Sequence, residues 1–256
     1  MPDTHPAGVR TLVSEAEWQA RLECAAVYRL LAIHGMSDLV YNHVTLRIPG
    51  EGERLLINPF GWLYEEITAS SLITIGLDGT VLLNPHPDVG INPAGYVIHS
   101  AVHAARPDAA CVIHTHSRAG MAVSAMRCGL LPLTQTAMRC MPVAYHDYEG
   151  PAVDLDERSR LQRDLADRRF MVLRNHGLLV TGPSAAEAFN GMYWMEMACR
   201  AQVDAMAARA ELTMPDARTV DHAVHQYQPG TRRPFGVLEW PAMLRLLDRR
   251  SPGWRD

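Results

Sequence analysis

Residues 92–129 read NPAGYVIHSAVHAARPDAACVIHTHSRAGMAVSAMRCG, and their pattern decides the fold class. Ala94 to Ala105 carries apolar residues at helical spacing. The helix must stop before Arg106-Pro107, because the residue ahead of a proline is pushed out of the helical region. Ala109-Ala-Cys-Val-Ile113 is a short apolar run of the kind a buried strand presents, and it leads straight into His114-Thr115-His116. In an extended chain residues i and i+2 point to the same face, so His114 and His116 project side by side. Two such imidazoles can share a metal ion at about 2.0–2.1 Å. A second helix, Ala119 to Met126, closes the segment.

Working outward, Ser14 to Ile33 is expected to be a helix. Ser14 followed by Glu17 is a capping-box signature, and Gly35 supplies the stop. His43 to Ile48, Leu55 to Ile57 and Leu72 to Ile75 read as strands. Asp78-Gly79 between apolar residues signals a hairpin, so the front half should supply an antiparallel meander. Toward the C-terminus the pattern gives a helix from Asp156 to Asp167, a strand Phe170 to Leu173, the turn Arg174-Asn175-His176-Gly177, and a long helix from Ser184 to about Leu212. The methionines of that helix read as packing. The last 40 or so residues should hold loops, with a short helix near Trp240 to Leu247. This order implies an α/β fold, a sandwich with helices flanking a mainly antiparallel sheet. No repeat or linker divides it, so residues 1–256 are expected to form a single domain with its core at about 15–250.

Hydrophobic residues make up 48% of the 256 and charged residues 20%, and the net charge is −4, which gives no reason to expect a nucleic-acid partner. No apolar stretch is long enough to span a membrane. The N-terminus lacks the basic and apolar regions of a secretory signal. Five widely spaced cysteines without a Cys-x-x-Cys pair fit reduced core residues, and so a cytoplasmic protein.

His176 lies just past the Phe170–Leu173 strand and next to a glycine. If that strand neighbours the one ending at His114, three imidazoles meet and leave a coordination position open, which is the mark of a catalytic rather than a structural metal site. The same His-x-His pair can also be a plain polar strand end. The stretch 92–129, together with RNHGLL at Arg174 to Leu179 and NPFGWLYEEIT at Asn58 to Thr68, strongly resembles the class II aldolase and adducin head-domain family. The resemblance implies a single-domain α/β/α sandwich. It implies one divalent ion on His114, His116 and His176, zinc above all, with manganese or iron as alternatives. It also implies a homotetramer with sites at subunit borders and a small-molecule substrate.

The chain departs from the sugar-phosphate aldolases it resembles. Those enzymes carry a Ser-Ser-Glu segment whose glutamate is the acid/base, and here Gly95 or Tyr96 stands in its place. Their Gly-Asn-x-Ser phosphate loop reads Asn42-His43-Val44-Thr45. A phosphorylated sugar is therefore not the expected substrate. The candidate catalytic residues are His43, His99 and Tyr96, and the candidate substrate-binding residues are Arg174 and Asn42. His99 and His103 read equally as packing residues, His146-Asp147 as part of a surface turn, and His222 and His225 as solvated loop residues. Arg174 serves either a substrate carboxylate or an acidic neighbour. The expected activity is a metal-dependent carbon–carbon lyase that stabilises an enolate-like intermediate on a hydroxy or keto substrate. Decarboxylation of a hydroxylated aromatic or related acid is an alternative. A non-catalytic adducin-like module is another, and an oxygen-using iron enzyme a third.

Overall fold

The computed structural model describes residues 8–150, 156–228, 230–231 and 233–256; residues 1–7, which include the region read for a secretory signal, lie outside the described set. The chain opens with α1 (Val9–Leu12) and α2 (Glu15–Ile33). Ser14 caps α2, accepting a hydrogen bond from the Glu17 amide at 3.0 Å. The Glu17 carboxylate does not return to the cap as a capping box requires. It accepts from Arg21 at 2.9 Å and from the Thr74 hydroxyl at 2.7 Å, which ties the helix to the sheet.

An antiparallel meander follows as the sequence pattern predicts: β1 (His43–Arg47), β2 (Arg54–Ile57), β3 (Ile73–Gly76) and β4 (Val81–Leu83). Gly79 turns the last hairpin at φ +88°. Next come α3 (Pro93–Ala105), β5 (Cys111–Thr115), α4 (Arg118–Ser124), α5 (Gln135–Met138), β6 (Val143–His146), α6 (Glu157–Leu165), β7 (Phe170–Leu173) and β8 (Gly177–Gly182). The chain ends in α7 (Ala185–Ala207), α8 (Ala217–Gln226) and α9 (Trp240–Arg250). The sheet order is β4-β3-β2-β1-β5-β8-β7-β6. All pairs are antiparallel except β6 with β7.

Alternation along the strands sorts the two faces. Val44, Leu46, Cys111, Ile113, Leu178 and Val180 point into one core, beneath α2, α4 and α7. Val112, Met171, Leu173 and Leu179 point into the other, beneath α3 and α6. The result is the expected α/β/α sandwich. His43, Thr45 and His114 share the parity of the second face.

Several local expectations are corrected. β7 does not neighbour β5, because β8 lies between them and pairs with both. Neither β8 nor β6 was expected as a strand, nor α5 as a helix. His146 is not in a surface turn: it ends β6 and is 4% exposed. His222 and His225 lie on α8 rather than in a loop. Four of the five cysteines are buried and free as expected, while Cys128 is free and exposed.

Candidate metal centre

His114 is the fourth residue of β5, and His116 follows one residue past the strand's end. His176 arrives by a different device. β7 and β8 are joined by Arg174-Asn175-His176, with Leu173 and Gly177 paired across the neck. Asn175 takes the left-handed conformation (φ +57°) that asparagine tolerates better than most residues, and its amide donates to the Ser124 carbonyl at 3.1 Å. This tight turn holds His176 at the rim of β8. Gly177 must lack a side chain there, because a Cβ would press on the Thr115 carbonyl oxygen.

The three imidazoles converge. Nε2 of His114 and of His116 are 2.8 Å apart, and Nε2 of His116 and of His176 are 2.9 Å apart. Two nitrogen ligands about 2.1 Å from one ion sit about 3.0 Å apart at about 90° and about 3.4 Å apart at the tetrahedral angle, so the observed separations are on the short side of what a shared ion sets. The second nitrogens of His114 and His116 are committed elsewhere. His114 Nδ1 donates to the Leu178 carbonyl at 2.9 Å, and His116 Nδ1 donates to the Asp38 carboxylate at 3.0 Å. With both protons placed on Nδ1, the two facing Nε2 atoms present bare lone pairs to each other. Burial, and then the neighbouring His176 and His116 rings, push the His114 pKa well below its usual range. Burial, and then the nearby His116 ring, bring His176 to about 4. The facing Nε2 lone pairs of His114 and His116 repel each other unless a positive charge lies between them. A shared cation resolves that conflict, so the donor set fits a divalent ion with nitrogen ligands. His114 is fully buried and His116 and His176 are partly exposed, so the outer side of the trio is open. A cleft beside His176, lined also by His146, Tyr148 and Arg174, measures only about 10 Å³, room for one water.

The other candidates are placed as follows. His43 pairs across the sheet with His114, their ring centroids 5.2 Å apart. Its Nδ1 faces the Tyr41 carbonyl at 3.2 Å, and its buried Nε2 has no partner. Burial above all brings His43 to about 3. A Cβ on Gly95 would meet the His43 ring at 2.8 Å, so His43 fills the space that a side chain at position 95 would need. His99 is buried 4.5 Å from the His43 ring, ring centre to ring centre, with an unpartnered Nε2. The His99 Nδ1 and the His103 Nε2 each lie 2.7 Å from the Thr45 hydroxyl, which joins the two rings. Asn42 is buried with neither amide atom partnered. Tyr96 turns away from the trio: its hydroxyl donates to the Leu77 carbonyl at 3.1 Å, and its ring packs on Gly79 in the β3–β4 hairpin. Arg174 stacks on Tyr145 at 4.6 Å, and its Nε lies 3.5 Å from the exposed Asp147 carboxylate. Sequence reasoning missed Asp38 and Thr45. Thr45 shares the strand parity of His43 and could have been found that way, whereas Asp38 sits in a loop with no periodicity to mark it.

The fold is thus a mainly antiparallel α/β/α sandwich with three imidazoles gathered at one end of its central strands. Residues 22–203 match the class II aldolase and adducin N-terminal domain, and the chain belongs to that family. It is 49% identical over 246 residues to a Caulobacter vibrioides protein named for the class 2 aldolases, with 95% of each chain covered. It is 41% identical over 242 residues to alpha-adducin of Mus musculus, covering 89% of this chain and 33% of the adducin. The crystal structure of an aldolase II superfamily protein from Pseudomonas syringae superposes with a TM-score of 0.90 at 45% identity, covering 97% of this chain and 100% of that one.

Proposed function

We propose that this chain is a metal-dependent carbon–carbon lyase of the class II aldolase type, acting on a small hydroxy or keto substrate other than a sugar phosphate. The observation that carries this reading is the pair of Nε2 lone pairs facing each other at 2.8 Å, each fixed by a partner on the far side of its ring. His114, His116 and His176 would hold a divalent ion, zinc first and manganese or iron as alternatives, which would supply Lewis acidity toward a substrate oxygen. The chain's own residues set the rest. Leu178 and Asp38 fix the orientation of His114 and His116, so the binding site is formed before any ligand arrives. His43 offers an unpartnered Nε2 beside the trio as a hydrogen-bonding group for substrate. Asn42, equally unpartnered, supplies a neutral donor and acceptor. Position 95 carries no carboxylate, which argues against the sugar-phosphate reaction and leaves decarboxylation of a hydroxylated acid as the closest alternative chemistry. Reduced cysteines fit a cytoplasmic setting, and a homotetramer is the assembly proposed. Among the described residues no helix is long and apolar enough to cross a membrane.

A second reading, a non-catalytic interaction module, draws on the similarity to alpha-adducin and the absent carboxylate. Screening hydroxy acids with the metal-loaded protein for released aldehyde and released CO2 separates the chemistries. Aldehyde supports the lyase as stated, and CO2 supports the decarboxylase. A fully loaded protein inert across the panel supports the module.

A further inference from the structure

The ends of β7 and β8 far from the metal centre border a second cavity, of about 560 Å³, a size typical of small-molecule sites. Thr181 in β8 lies three residues from Leu178, whose carbonyl holds His114, so the two places are about 10 Å apart along one strand. The cavity wall has an unusual electrostatic composition. Arg106 is held bidentately by Asp108 at 2.8 Å, and Arg168 reaches Asp167 at 3.4 Å. Glu187 pairs with Ser184. Arg139 and Arg169 have no carboxylate within ion-pair distance among the described residues, and the Nε of each is buried without a hydrogen-bond partner. Thr181, 1% exposed, has a buried hydroxyl that is also unpartnered. Arg139 is pinned over the Trp194 ring at 4.4 Å, so its guanidinium is already oriented. Met141, Pro142 and Phe170 add an apolar side to the wall.

We propose that this cavity is a second ligand site, for a small molecule that carries a carboxylate or phosphate beside an apolar body. A partly buried guanidinium without a counter-charge is costly, and burial lowers the Arg169 pKa, nearby Glu187 opposing it only in part. An oxyanion satisfies both arginines at once through the planar donor geometry that suits them to such groups, and the Thr181 hydroxyl adds a third donor. The apolar wall receives the remainder of the ligand. This inference is independent of what the metal centre does.

Calorimetric titration of the full chain tests it, with benzoate and phenyl phosphate as the two anionic probes and benzamide as the neutral control. Saturable binding of either anion, one per chain, is expected in the wild type and in His176→Ala. Binding at least tenfold weaker is expected in Arg169→Gln and in Thr181→Val. Benzoate against phenyl phosphate tells a carboxylate from a phosphate ligand. Thr181→Val is nearly isosteric and carries the test alone should Arg169→Gln not fold. The proposal is overturned if neither anion saturates at millimolar concentration, if benzamide binds as tightly, or if the loss occurs in His176→Ala instead. It is equally overturned if sedimentation shows Arg169→Gln splitting an oligomer, since an acidic group of a second copy would then fill the cavity.

Discussion

Gly95 is bare where the His43 ring occupies the space that a Cβ there would need. Gly95→Glu alone should force the His43 ring aside and lower stability by roughly 1–3 kcal/mol in urea unfolding. Adding His43→Asn should recover most of that loss. Equal losses in the single and double variants would show that the two positions do not compete for one space. On the other side of the trio, Asp38 has a role that can be measured separately. Asp38→Asn should weaken metal affinity roughly 10–100-fold in a competition titration against a chromogenic chelator. His114 and His116 were legible in the sequence because strand alternation places i and i+2 together. His146 was not, since its burial comes from Glu157 and Asp164, 11 and 18 residues away, and no local pattern records such a contact.

The β7–β8 hairpin is the element that assembles the centre. It delivers His176 from the turn and, through the Leu178 carbonyl, orients His114 from the neighbouring strand. Gly177→Ala should push β8 away from the Thr115 carbonyl and weaken metal binding along with thermal stability. Gly90→Ala, where nothing lies within 4 Å of the added carbon, is the control expected to change neither. Unchanged chelator competition in Gly177→Ala would remove the hairpin from this role. The first meander and the long helices were readable because their periods are sustained or their turn chemistry is explicit. β8 escaped because Gly177–Gly182 is a short apolar run whose strand character comes from sitting between β5 and β7. β6 escaped for a related reason: its parallel partner β7 is separated from it by α6. The expected meeting of histidines therefore holds geometrically, although by way of β8 rather than a direct β5–β7 pairing.

Across the whole molecule, buried imidazoles on the α3 side of the sheet should make the fold sensitive to acid. Burial, with Arg47 nearby, brings His103 to about 3 from an ordinary value of 6.5. Between those values the unfolded chain binds a proton that the folded chain does not, so stability rises with pH across the window and falls as pH drops below about 6.5. His99 is displaced in the same direction by burial. The urea midpoint should therefore fall between pH 7.5 and pH 5, and His103→Gln should flatten that dependence. A midpoint independent of pH over this range would contradict the burial of these rings. The sandwich itself was legible from the order of elements, and the family likeness extends it from residue 22 to 203. The second cavity was not legible, because Arg139, Arg169 and Thr181 meet only in three dimensions. The most direct test is the metal content of the chain, by plasma mass spectrometry, after chelation and reloading with zinc, manganese or Fe(II). We expect one divalent ion per wild-type chain and close to none in a folded His116→Ala variant. A folded wild-type chain that takes up no ion at saturation, or a variant that binds as well as the wild type, would contradict a shared cation among His114, His116 and His176.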